Sequence, residues 1–275
     1  MRKKNLNLVS YFGGKWPHLK WLKAQFPQGD FHFIDALCGA ANVALNINYP
    51  LVTINDLNDE IINLFEVLRE QHEAFMQAIY FTPFAEAELT KCIEEETPTD
   101  PLERARRYFV KCQLGYGANG SQNNHKGAGM EFTIQRANYY RVDNWNKKLA
   151  RMAEIVDKLR GFQILNRDLF YVIDKMDRPN NFIYIDPPYV LSTRRDKKRY
   201  KHEWDDDKHV KLCDRLNQVE NAMICLSGYD NEIYRDMLPD FNVIKGPKNM
   251  ATVSKKSAYE HVWTNYTPPV QQLFT

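Results

Sequence analysis

Residues 181–189 read NFIYIDPPY, and no other stretch narrows the fold as much. Phe182 to Ile185 form a continuous apolar run with β-branched and aromatic side chains, short enough for a strand and too short for a helix. A strand that is apolar throughout is buried on both faces, as in a parallel sheet covered by helices. Pro187 and Pro188 then end it, because neither has an N–H to give to a ladder. AMICLS (Ala222–Ser227) has the same character, and HFIDAL (His32–Leu37) and LVTIND (Leu51–Asp56) read as short buried strands.

Helical patterns lie between these strands. Ile62, Phe65, Leu68 and Phe75 share one face of a long helix predicted from Asn58 to Ile79. PLERARRYFVKCQL (Pro101–Leu114) begins with a proline suited to a first turn and continues as a basic helix. Another helix is expected from Asn144 to Leu159, stopped by Gly161. Strands alternating with helices at both ends, around a basic helical and Gly/Asn-rich middle, predict an α/β domain with an insertion.

Several function classes are excluded or disfavoured. No apolar run is long enough to cross a bilayer and the N-terminus lacks an apolar signal core, so a cytoplasmic protein is expected. The five cysteines are odd in number and form no CxxC pair, and the seven histidines lack ligand spacing; no disulfide framework and no metal site is expected. The net charge of +2 conceals two blocks. From Asp56 to Glu103 thirteen acidic residues face two basic ones, and from Arg104 to Arg167 thirteen basic residues face four acidic ones. Solvated helix faces would account for either block, and a polyanion-binding surface would account for the second.

Ligands of open parallel sheets bind beyond the carboxyl ends of the strands, so the loops there carry the functional candidates. Cys38-Gly39-Ala40-Ala41-Asn42 follows the first strand with small residues that let backbone amides approach a ligand, or that serve tight packing. Asn55, Asp56 and Asn58 follow the second; an acidic residue there suits a ribose hydroxyl pair or a helix cap. Asp186-Pro187-Pro188-Tyr189 is the most specific. A carboxylate beside carbonyls that prolines leave free is a rigid acceptor pair for an exocyclic amino group, and Tyr189 offers a ring on which a base stacks.

In this order the motifs resemble amino-group DNA methyltransferases, specifically the Dam-type adenine-N6 class. DPPY resembles its catalytic motif, and SYFGGK (Ser10–Lys15) its N-terminal methyl-donor motif. FIDALCGAAN and TINDLNDEIINLF are similar to its first- and second-strand motifs, and NRDLF (Asn166–Phe170) to its short Asp-containing motif. LSGYDNEIY and YEHVWTNY resemble its late strands. The chain departs at Ala36 and Ala41, where the class usually has Pro and Gly.

The resemblance implies a Rossmann-like methyltransferase domain over 1–81 and 145–275, with a mainly helical target-recognition domain inserted at 82–144. It implies S-adenosylmethionine as donor and double-stranded DNA as substrate, in a monomer or weak dimer, and leaves a cognate restriction endonuclease open. Lys15 would pair with the donor's methionine carboxylate in a pocket shaped by Tyr11, Gly13 and Gly14, with Asp35, Cys38 and Gly39 admitting the methionine part. Asn55 and Asp56 would hold the ribose, and Asp168 and Leu169 would border the donor's adenine. Asp186 and Pro187 would orient the target amino group, with Pro188 and Tyr189 completing the catalytic turn. Arg104, Arg107, Lys111, Asn119 and Lys126 are the insert's candidates for contact with DNA, and Arg194, Arg195, Lys197, Lys198 and Arg199 those of the loop after the turn. Methylation at cytosine N4 or on RNA, an inactive DNA-binding relative, and a small-molecule methyltransferase are the rival readings.

Overall fold

The computed structural model describes residues 5–115, 130, 145–193, 202–248 and 259–269. Seven strands form one sheet: β1 (His32–Asp35), β2 (Leu51–Asn55), β3 (Phe162–Leu165), β4 (Asn181–Ile185), β5 (Met223–Tyr229), β6 (Asn242–Lys248) and β7 (Tyr259–Thr264). Their order is β3-β2-β1-β4-β5-β7-β6. The first five are parallel, and β7 runs antiparallel between β5 and β6. This is the expected Rossmann-like, mostly parallel sheet.

Side-chain alternation explains why the strands are apolar throughout. Phe33, Phe182, Tyr184 and Cys225 point into one core, and Ile34, Ile183, Ile185, Ile224 and Leu226 into the other. On the first face pack α1 (Leu19–Gln25), α2 (Asp59–Glu70), α3 (His72–Tyr80), α4 (Glu86–Glu94), α5 (Pro101–Leu114) and α6 (Met152–Arg160). Phe26, Phe33, Phe182 and Tyr184 form an aromatic cluster there, with ring centroids 4.9 Å apart for Phe26 and Phe182. The second face carries α7 (Leu169–Met176), α8 (Asp206–Leu216) and α9 (Glu232–Met237). Among the described residues no helix is long and apolar enough to cross a membrane.

Helix starts follow their caps. Asn58, Asp100, Asp168, Asp205 and Asn231 each accept a backbone N–H of the first turn of α2, α5, α7, α8 and α9. The helix expected from Asn58 to Ile79 is two helices, broken where Gln71 takes φ −134° and caps α2. No glycine or proline marks that break; Phe75 turns instead to meet Phe109 of α5 edge-on, 5.6 Å between centroids.

Helix α5 packs into the main core. Its Ala105, Tyr108, Phe109, Val110, Cys112 and Leu114 are buried in the same core as α2, α3 and the first face of the sheet, as are Leu89 and Cys92 of α4. Helices α4 and α5 thus share a core with the first face of the sheet. The basic charge of α5 is not a free face: Arg104 binds Glu60, Arg106 binds Glu88 and Glu103, and Arg107 binds Glu95 and Glu103. The acidic and basic blocks meet as complementary helix surfaces. Lys111 is buried beside them, and burial lowers its pKa. Of the residues expected at a DNA face, Arg104 and Arg107 hold carboxylate partners and Lys111 is buried.

Arg106 is the centre of this network, with Nε and Nη2 on the Glu103 carboxylate at 2.6 and 2.8 Å and Nη1 on Glu88 and Thr82. Arg106→Met removes all of these bonds and leaves two carboxylates short of a partner, at an expected cost of ~1–3 kcal/mol read from the urea midpoint. The Arg106 and Arg107 hydrogen bonds outweigh burial and hold Glu103 down to about 2 from 4.5. A depressed carboxyl stabilises the fold above its unfolded value, so this contribution is complete above about pH 4.5 and is lost as pH falls toward 2. The variant is expected to lose that part of the acid dependence.

Candidate active site

Strand order reverses direction between β1 and β4, where the connections leave toward opposite faces of the sheet. Side chains at their carboxyl ends diverge there and leave a crevice. A cleft open to solvent occupies this position, and its lining comes from six stretches far apart in sequence, within 11–15, 35–43, 56–58, 168–169, 184–189 and 202–208. Of the expected residues it gathers Tyr11, Gly13, Gly14, Lys15, Asp35, Cys38, Gly39, Asp56, Asp168, Leu169, Asp186, Pro187, Pro188 and Tyr189.

The loop after β1 is shaped by backbone conformations that side chains disfavour. Gly39 takes φ +48°, and a Cβ there would lie 2.6 Å from the Tyr11 ring. Its N–H donates to Asp56 Oδ2 at 2.8 Å, while Asp56 Oδ1 accepts the N–H of Asn58 at the same distance. Ala41 also takes a positive φ, +53°, which costs of order 1 kcal/mol for a residue with a Cβ. That is the physical reason a glycine suits this position, and the surrounding core holds alanine there nonetheless.

Among the described residues, Asp35 Oδ2 and Asn42 Oδ1 in the cleft lining, both buried, have no hydrogen-bond partner, and neither has the Tyr184 hydroxyl. Burial, reinforced by the Asp186 charge, pushes the Asp35 carboxyl well up. Asp168 caps α7 through Phe170 N at 2.9 Å and also lines the cleft.

The centre of the site is ionic. Lys15, only 4% exposed, sits 2.7 Å from Asp186 Oδ1 and 3.1 Å from Glu260 Oε1. The Glu260 carboxylate also accepts the Tyr189 hydroxyl, 3.0 Å from each oxygen, and the Ser227 hydroxyl at 2.8 Å. Lys15 Nζ reaches the Tyr189 hydroxyl too and lies 4.5 Å from the ring centroid, over a ring that leans on Tyr229. Burial by itself would lower the Lys15 pKa, but Asp186 and Glu260 reverse the effect and hold it well raised. For Asp186 burial dominates, and it is pushed up to about 6 despite Lys15.

Lys15 thus pairs with the catalytic-motif aspartate, where a donor carboxylate was expected. Asn55 is absent from the cleft lining; its buried amide bonds Ala36 O and Arg167 O and accepts Arg167 N, bracing the ends of β1, β2 and β3. Asn119, Lys126, Arg194, Arg195, Lys197, Lys198 and Arg199 lie outside the described residues. Residues not expected from the sequence are Asn42, Glu260, Ser227 and Tyr229, with His202, Trp204 and Lys208 on the cleft wall. Only Glu260 carried a signal: it shares strand parity with Val262, so a lone acid lies on the inward face of a buried strand.

Gly39→Ala tests the loop. The added methyl must displace Tyr11 and adopt a left-handed backbone, and a loss of ~1–2 kcal/mol is expected. A thermal melt with unchanged Tm would remove the packing role assigned to this glycine.

Comparison with known proteins agrees with the geometry. The sequence profile of D12 class N6 adenine-specific DNA methyltransferases matches residues 11–252. A DNA adenine methylase of Salmonella typhi is 27% identical over 194 residues, covering 68% of this chain and 66% of that protein, so the match spans just under two thirds of that relative. Modification methylase StsI of Streptococcus sanguinis is 26% identical over 76% of this chain and 33% of its own length. Type II methyltransferase M1.LlaDCHI of Lactococcus lactis subsp. cremoris is 21% identical over 97% of this chain and 98% of its own. With DPPY closing β4 beside the crevice and a family match that runs through nearly every segment of the cleft, the chain belongs to the D12 class N6 adenine-specific DNA methyltransferases.

Proposed function

We propose that this protein transfers a methyl group from S-adenosylmethionine to the N6 amino group of adenine in duplex DNA. The observation that carries the reading is Asp186, which follows the central strand β4 and has Oδ1 held by Lys15 while Oδ2 carries no partner among the described residues. An adenine amino group is a weak nucleophile because its lone pair is delocalised into the ring. Accepting its hydrogen on Oδ2 localises density on nitrogen and aims it, so catalysis is mainly orientation and electrostatics.

The residues fit the donor. Its ammonium would satisfy the orphaned Asp35 Oδ2 and Asn42 Oδ1, and the absence of a side chain at Gly39 keeps the loop tight under Tyr11. Asp56 and Asp168 at the other end of the cleft suit the donor's ribose and adenine edges. When bound, the donor supplies an electrophilic methyl on a sulfonium. The carboxylates that line the cleft offset that positive charge, and the buried Lys15 keeps Asp186 ionised by lowering its proton affinity.

The target base must leave the duplex, at a cost of a few kcal/mol, and stacking on Tyr189 recovers ~1–3 kcal/mol of it. The basic run 194–201 directly after the catalytic turn suits the phosphates flanking that base. Because 86–114 packs in the catalytic core, target recognition is assigned to 116–144, the Gly/Asn-rich and basic segment.

Incubation with labelled donor and mixed duplex DNA, followed by digestion to nucleosides, is expected to yield label in N6-methyladenine. Label in cytosine, or label with RNA alone, would overturn the reading. Asp186→Ala is expected to reduce transfer by at least ~10³-fold while calorimetry records donor binding within a few-fold of wild type. Retained transfer in that variant would remove the role given to Asp186.

A further inference from the structure

Glu260 lies 74 positions beyond Asp186 on the reversed strand β7, paired through Tyr229 to the end of β5, and the transfer chemistry described so far does not use it. Its side chain is 1% exposed. An acid so deeply buried needs a compensating partner, and this one has three: Lys15, the Tyr189 hydroxyl and the Ser227 hydroxyl. Two of the three belong to motifs that also touch Asp186 or the target-base platform.

We propose that Glu260 is a positioning residue for methyl transfer, fixing Lys15 and the Tyr189 ring and giving the Lys15–Asp186–Glu260 cluster a net negative charge that faces the reacting amino group. The inference rests on the adenine-transfer reading and adds a residue to it.

Charge counting gives the reason. Lys15 alone would neutralise Asp186 and leave nothing to stabilise the positive charge that develops on nitrogen. With Glu260 as a second counter-charge, Lys15 still holds Asp186 Oδ1 in place while the cluster keeps one surplus negative charge. In the step itself the N6 lone pair forms the bond to the methyl carbon and the carbon–sulfur pair stays on sulfur. One N6 proton leaves through Asp186 Oδ2 to water. A cluster with surplus negative charge favours both the developing aminium and the departure of its proton.

The same carboxylate bonds the Tyr189 hydroxyl through both oxygens, so the ring meant to stack on the extruded base is tied to the charge cluster that acts on it. The titratable groups facing Asp186 are Lys15 from the N-terminal loop, Asp35 after β1, Tyr184 on β4, Cys225 on β5, Tyr234 on α9 and Glu260 on β7. Burial raises the pKa values of Tyr184, Tyr234 and Cys225 and keeps those groups neutral at ordinary pH, and it raises Asp35 as well. Lys15 and Glu260 remain as the opposed charges: Glu260 raises the Asp186 pKa and Lys15 lowers it.

The test is the pH profile of single-turnover methylation for the wild type, Glu260→Gln and Lys15→Met, with carboxyl titration of Asp186 followed by carbon NMR in the donor-free proteins. Glu260→Gln keeps the shape of the side chain and is expected to reduce the transfer rate ~10- to 100-fold, with KM for DNA and donor little changed. The Asp186 titration and the acid limb of the rate move to lower pH in that variant, by ~1 unit, and to higher pH in Lys15→Met. A 2-aminopurine duplex reports base extrusion, and its fluorescence on binding is expected to fall in Glu260→Gln because Tyr189 loses its anchor. Unchanged rate and acid limb in Glu260→Gln, shifts of the same sign in both variants, or a loss confined to KM would overturn the inference. If Glu260→Gln does not fold, the sign of the Lys15→Met shift decides, and a downward or absent shift overturns it. Failure of the wild type to label adenine would instead sink the parent reading, while the donor-free titrations still report on the cluster.

Discussion

The ammonium of Lys15 lies between carboxylates contributed by the end of β4 and by β7, and it is almost wholly removed from water. No member of such a cluster is stable alone in that position, because an unpaired buried charge costs several kcal/mol. The N-terminal loop, the catalytic turn and the reversed strand are therefore held to one another by the site itself. Tyr189, which bonds Glu260 and lies beside Lys15, is part of the same assembly. The sheet places these segments within reach, and the cluster fixes their final separation to within hydrogen-bond distances.

Reversal of strand order at β1 and β4 supplies the other half of the site. It opens a crevice, one side of which is built from backbone: the left-handed Gly39 and Ala41 and the doubly bonded Asp56. Backbone geometry of this kind tolerates little change, whereas the charged side of the cleft is made of side chains that one substitution can retune.

Much of the fold was legible before any coordinates. FIYI and AMICL are buried strands, their neighbours alternate between the two cores, and the cap considered for the loop after β2 is realised at Asn58. The DPPY turn and the small-residue loop after β1 line the cleft as their types suggested. The charge blocks were misleading, since a sequence reports how many arginines a helix carries and not what stands opposite them. Glu60, Glu88 and Glu95 lie 12 to 44 positions from their arginine partners and could not be paired by local spacing. The break at Gln71 was equally hidden, because no glycine or proline marks it.

By itself the sequence determined the fold class and the family, and it singled out the DPPY turn. These follow from local rules: apolar runs too short for helices, prolines that end a strand, and side chains whose chemistry suits one kind of substrate group. Only the tertiary structure decided the partners of each charge. It set Lys15 against Asp186, left Asn55 as a brace outside the cleft lining, and brought Glu260 behind the site from 74 positions away. Charge pairing acts through a few ångströms of space, and distance along the chain carries almost no information about it.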